Sequence, residues 1–78
     1  MTSLEKYNEA FISSLMVMEP QLSSLKYQLV EGWDSVGHMS LIAALEEAFD
    51  IMIDTDDIID FSSYEKGKKI LKKYNVVI

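Results

Sequence analysis

The feature that most constrains this chain is a polar turn that opens directly into an apolar stripe. Asp34-Ser35 is followed by Leu41, Ile42, Leu45, Ala48 and Phe49. Spacings of three and four put those five side chains on one face of a helix, predicted over about Ser35 to Phe49. Asp and Ser are both favoured N-caps, so the pattern allows either to start it. In both cases the Ser35 hydroxyl lies beside unpaired backbone N–H groups and the positive end of a helix dipole, which suits a phosphate. Val36, Met39, Ser40, Ala43, Glu46 and Glu47 fall off the apolar face.

The other periodic segments are also helical. Thr2 with Glu5 fits a capping box. Leu4, Tyr7, Phe11, Leu15 and Met18 follow at helical spacing, predicting a first helix over about Ser3 to Met18. Pro20 is expected to end it by forcing Glu19 out of the α region. Gln21 to Trp33 reads as a long loop anchored by Leu22, Leu25, Tyr27, Leu29 and Val30. Leu25, Tyr27 and Leu29 alternate as a strand would, but no convincing second strand exists to pair with them. Asp54 or Thr55 would cap a short helix over Asp56 to Asp60, with Ile58 and Ile59 inward. Ser62 with Glu65 suggests a capping box for a last helix bearing Tyr64, Gly67, Ile70, Leu71 and Tyr74 on one face. Gly67 weakens a helix by about 1 kcal/mol relative to Ala, which implies a close crossing there. Residues 75 to 78 fit none of these patterns. The class expected is all-α, a small four-helix bundle with three longer helices and one short one.

Charge is uneven. Glu31, Asp34, Glu46, Glu47, Asp50, Asp54, Asp56, Asp57 and Asp60 fall between positions 31 and 60 with no Lys or Arg, while the whole chain carries −6. Such a field disfavours nucleic acid and anionic membrane and favours basic protein partners. There is no cysteine, so any thioester chemistry must draw its sulfur from a prosthetic group. Glu5, Lys6 and Glu9 stand where a leader peptide would be apolar, and the uncharged runs are short for a bilayer, so a cytoplasmic location is expected.

Catalytic and metal readings are poor. Asp34, Ser35 and His38 suggest a hydrolase, yet residues three apart on a helix point outward together, and the nucleophile-elbow pattern is absent. No catalytic residue is therefore expected. Asp54-Thr55-Asp56-Asp57 has the start of a calcium loop but Ile59 at the position that requires Gly, so no metal site is expected. Trp33 reads as a packing residue and His38 as a surface or loop contact.

The run Asp34-Ser35-Val36, Leu41-Ile42, Leu45-Glu46-Glu47 and Phe49-Asp50-Ile51 resembles the acyl and peptidyl carrier proteins. The resemblance is closest from Gly32 to Ile53, continues to Leu71, and is only architectural before Glu31. Glu31 and Val36 stand where fatty-acid carriers have leucine. Trp33 and Gly37-His38 are more similar to stand-alone carriers outside fatty-acid synthesis. The resemblance implies a single carrier domain over 1–78, with a long ordered loop between helices one and two. It implies phosphopantetheine, taken from coenzyme A, as a phosphodiester on Ser35, and an acyl or aminoacyl cargo held as a thioester. It implies a phosphopantetheinyl transferase, and loading and acceptor enzymes with basic docking surfaces, as partners. Asp34, Val36, Met39, Ala43, Glu46, Glu47 and Asp56 are the expected recognition residues. The alternative from the residues alone is a cofactor-free, acidic helical interaction module.

Overall fold

The first helix, α1 (Ser3–Leu15), starts as its capping box dictates. The Glu5 N–H donates to Thr2 Oγ1 at 3.1 Å, and the Thr2 N–H donates to the Glu5 carboxylate at 3.0 Å. The computed structural model describes residues 2–78 and is all-α. After α1 come a 3-10 helix (Glu19–Ser24), α2 (Ser35–Phe49), α3 (Thr55–Asp60) and α4 (Tyr64–Lys72). None of these helices is long and apolar enough to cross a membrane.

α1 is shorter than its periodicity predicts. Met16 takes a left-handed conformation (φ 58°) and its N–H closes on the Ile12 carbonyl, so the helix stops well before Pro20. The reversal turns Met16 out, 87% exposed, and sends Val17 into the core. Met18 and Leu4 are likewise outside the stripe, which is Tyr7, Ala10, Phe11 and Leu15. Pro20 does not break a helix. It sits in the first turn of the 3-10 helix, where its missing N–H costs nothing.

The connection from residue 19 to residue 34 is thus partly helical. Leu22 and Leu25 are its buried anchors, whereas Tyr27 and Leu29 are exposed. No strand forms among the described residues. Lys26 and Ser63 make one isolated antiparallel bridge, in which the Tyr27 N–H donates to the Ser62 carbonyl and the Tyr64 N–H to that of Leu25. These bonds tie the middle of the connection to the start of α4.

α2 occupies the predicted range, with Asp34 as the N-cap and Ser35 as the first helical residue. Its buried face is Gly37, Leu41, Ile42 and Leu45. Ala48 and Phe49 are only half-buried, because the last turn runs past the edge of the core. Gly37 lies against the connection. A Cβ there would run into the Gly32 carbonyl, so α2 and the residues before it pack backbone to backbone.

Two expectations near the C-terminus are corrected. In α3, Ile59 points out, 76% exposed, and Ile58 is half-buried. Asp57 is the residue turned inward, because Lys73 and Tyr74, just after α4, bond its carboxylate. α4 is capped by Ser63 and not Ser62, the Lys66 N–H donating to Ser63 Oγ at 2.9 Å. The unassigned tail closes α4 with a Schellman motif. Asn75 is left-handed (φ 65°), and the Val76 N–H reaches the Leu71 carbonyl at 3.1 Å.

The core is aromatic. The Phe11 ring packs within 5.2 to 6.1 Å of the Trp33, Phe61 and Tyr64 rings. Tyr7 packs on Phe11 and Tyr64 and donates its hydroxyl to the Tyr64 carbonyl at 2.6 Å. Burial pushes the Tyr7 hydroxyl far above the usual tyrosine pKa, so it stays a donor.

Candidate functional site

Ser35 is exposed at the first position of α2. The Asp34 carboxylate accepts the Gly37 N–H at 2.8 Å, which satisfies one of the orphan donors of the first turn. Ser35 and Val36 precede Gly37 in that turn, at the positive end of a 15-residue helix. The side chain of Ser35 therefore projects from a rigid element into solvent, beside a field that stabilises an anion.

An open groove of about 390 Å³ begins at Ser35. Met39 of α2, Ile58 and Ile59 of α3, and Phe61 between α3 and α4 form its apolar walls. Tyr27 and Ser62 add hydroxyls, and His38 adds its ring. The Tyr27 hydroxyl is 3.5 Å from Ser35 Oγ, longer than an ordinary O–H···O bond. No carboxylate and no lysine lines the groove.

His38 is held from both sides. The Trp33 indole N–H can only donate, and it meets His38 Nδ1 at 2.9 Å. Nδ1 is thus the acceptor, and the ring proton sits on Nε2, which donates to the Ile58 carbonyl at 2.8 Å. Neither ring nitrogen addresses Ser35, and the Asp34 carboxylate is turned to Gly37. The three residues do not form a nucleophile–base–orienter chain. Trp33 is fully buried, a packing residue as its position in the sequence suggests.

Most of the other expected recognition residues are on the surface. Val36 and Met39 are 76% and 54% exposed, and Ala43, Glu47 and Asp56 are exposed too. Val36, Ala43 and Glu47 run along the outer side of α2 from Ser35. Glu46 is different. It is half-buried, and its carboxylate accepts the Ile53 N–H at 2.8 Å, fixing the segment between α2 and α3. Among the described residues, no three His, Asp or Glu side chains gather to hold a metal ion.

No family model, curated protein or solved structure matches the chain. Its functional reading therefore stands on the residues at this site and on their geometry. Sequence reasoning did not find Tyr27, Ile58, Phe61 and Ser62 as neighbours of Ser35. They come from the connection, α3 and the α3–α4 junction, and only tertiary packing brings them together.

Proposed function

We propose that the chain is a carrier protein whose Ser35 holds phosphopantetheine. The observation that carries the reading is the exposed Ser35 hydroxyl at the start of α2, with an uncharged groove opening beside it. The residues fit such a group. Dipole and N–H groups favour the phosphodiester, and apolar walls with a few hydroxyls suit an amide-containing arm. When bound, the arm supplies a thiol that carries an acyl or aminoacyl group as a thioester.

The reading takes α1, α2 and α4 as the longer helices of a four-helix bundle, α3 as the short one, and the connection before Asp34 as its long loop. Ser35 has no positioned base, so it is a poor nucleophile alone and needs a phosphopantetheinyl transferase. Ser35 Oγ bonds to phosphorus, the pyrophosphate bond of coenzyme A breaks, and the adenosine bisphosphate half leaves. The serine proton passes to a base on the transferase. Val36, Met39 and Ala43, with Glu47 and Asp56, supply an adaptable apolar strip with an acidic rim for that enzyme and for loading and acceptor enzymes with basic surfaces.

The test is incubation with coenzyme A and a broad-specificity transferase, followed by intact mass and peptide mapping. The wild-type chain gains one phosphopantetheine, on the peptide containing Ser35, and Ser35→Ala gains none while keeping its helical spectrum. A folded wild type that refuses the group from several transferases rejects the carrier reading and leaves the cofactor-free interaction module.

A further inference from the structure

We propose that His38 is a specificity-determining residue that bars cargo from the core, so that whatever is attached at Ser35 stays in the groove or in solvent. The consequence for cargo class rests on the carrier reading. The barrier itself does not.

The groove beside Ser35 is lined by α2 and α3, and His38 spans from one helix to the other at its inner side. One ring nitrogen is bonded to Trp33 and the other to the Ile58 carbonyl. The imidazole lies nearly coplanar with the Trp33 indole (20° between planes), joined to it edge to edge by that hydrogen bond, and meets Tyr27 and Phe61 in T-shaped contacts. It is a bridge from α2 to α3 with an aromatic ring on three sides. An alkyl chain passing this point must push the ring aside. That leaves the Trp33 N–H and the Ile58 carbonyl without partners, and an alkyl chain has neither donor nor acceptor to offer them.

The space behind His38 is filled. Trp33, Phe11 and Phe61 are at most 1% exposed, and their rings are in direct contact around Phe11. Entry would force several rings apart at once, and close-packed cores resist that. The groove in front of the bridge is at the low end of the size of small-molecule sites, near 300 to 1,000 Å³ on the general scale. It holds the segment nearest Ser35 and little more. On the carrier reading, the cargo is then a group that tolerates water, a short or polar acyl or aminoacyl group, and not a long alkyl chain.

The barrier is tested without any transferase. The chain has no cysteine and one tryptophan, so Ser35→Cys gives a unique thiol and Trp33 a single indole N–H signal. The thiol is alkylated with N-alkyl maleimides from ethyl to dodecyl, and the Trp33 indole resonance is followed by NMR. In Ser35→Cys the resonance keeps one position at every chain length. In Ser35→Cys/His38→Ala it shifts progressively as the chain lengthens and enters. Ser35→Cys/His38→Gln, whose amide can both accept from Trp33 and donate to Ile58, behaves like the variant that retains His38. A chain-length-dependent shift in Ser35→Cys alone overturns the barrier, whether or not His38→Ala folds. A folded His38→Ala variant with no such shift overturns the role of His38. Failure of Ser35 to accept phosphopantetheine is read in the separate transferase assay and touches only the carrier reading.

Discussion

Asp34 and Gly37 close the first turn of α2, the carboxylate of one accepting the backbone N–H of the other at 2.8 Å. Asp34 therefore has a structural task in addition to any recognition by a transferase. Asp34→Ala should lose about 1 kcal/mol of stability, the usual worth of an N-cap. Asp34→Asn keeps an acceptor and should lose much less. Urea titration of the two variants measures this. Equal destabilisation would show that the charge matters and the cap does not. Because Asn keeps the cap, a slower transferase reaction with Asp34→Asn isolates the contribution of the charge.

Electrostatic docking needs the same separation. Glu47 and Asp56 are exposed, and their side chains make no hydrogen bond among the described residues, whereas Glu46 holds the Ile53 N–H. Glu47→Lys with Asp56→Lys should slow transfer by the transferase at low salt and leave helicity and melting temperature nearly unchanged. Added salt should slow the wild-type reaction and narrow the gap to the variant. Glu46→Lys should also lower the melting temperature, because a buried backbone donor loses its acceptor. Equal rates for the double variant and the wild type at low salt would remove the acidic docking face.

α2 was the legible part of the sequence. Its cap, apolar stripe and length all gave the same helix, and the structure places its ends there. The end of α1 was less legible for a definite reason. Met16 takes the left-handed conformation there, where glycine is the usual signal, so nothing in the residue type marks that stop. Phe49 shows the limit of periodicity. Spacing assigns it to the inner face, but not how far the core extends beneath that face. Phe49 is half-buried, so Phe49→Ala should cost less than the 3 to 5 kcal/mol typical of a fully buried ring, about half of it. The groove beside Ser35 was not legible at all. Tyr27, His38, Ile58 and Phe61 are scattered over 35 positions and share no spacing.

Acid should loosen α3 first. The Lys73 ammonium, at 2.6 Å, and then the Tyr74 hydroxyl hold the Asp57 carboxyl below its ordinary value. A carboxyl depressed in the folded state contributes stability that is complete above its unfolded pKa and is lost as pH falls through the folded one. The loss should therefore begin at ordinary carboxylate pH and continue below it. The same bonds raise Lys73 and Tyr74, whose contribution is present below their unfolded values and fades in strong alkali. Amide exchange or NMR shifts of Ile58 and Ile59, followed against pH, should report the acid step ahead of the core around Trp33. Asp57→Asn should remove the step and loosen α3 at neutral pH. An unchanged acid profile in Asp57→Asn would show that the cluster does not hold α3.

Gly67 sets intrinsic helix propensity directly against packing. It is buried in the middle of α4, where replacing glycine by alanine ordinarily gains up to about 1 kcal/mol. A Cβ at this position would enter the Tyr7 hydroxyl and the edge of the Phe61 ring. Neither can give way cheaply. The Tyr7 hydroxyl is bonded to the Tyr64 carbonyl at 2.6 Å, and Phe61 is 1% exposed between Phe11 and the wall of the groove. Overpacking costs about 1–3 kcal/mol, which exceeds the propensity gain, so Gly67→Ala should destabilise the protein. The displaced Phe61 ring should also disturb His38 and so move the Trp33 indole N–H resonance. Chemical denaturation gives the sign of the stability change, and NMR gives the shift. A stabilised Gly67→Ala would show that α4 can move off Tyr7 and Phe61, and that the crossing at Gly67 is loose.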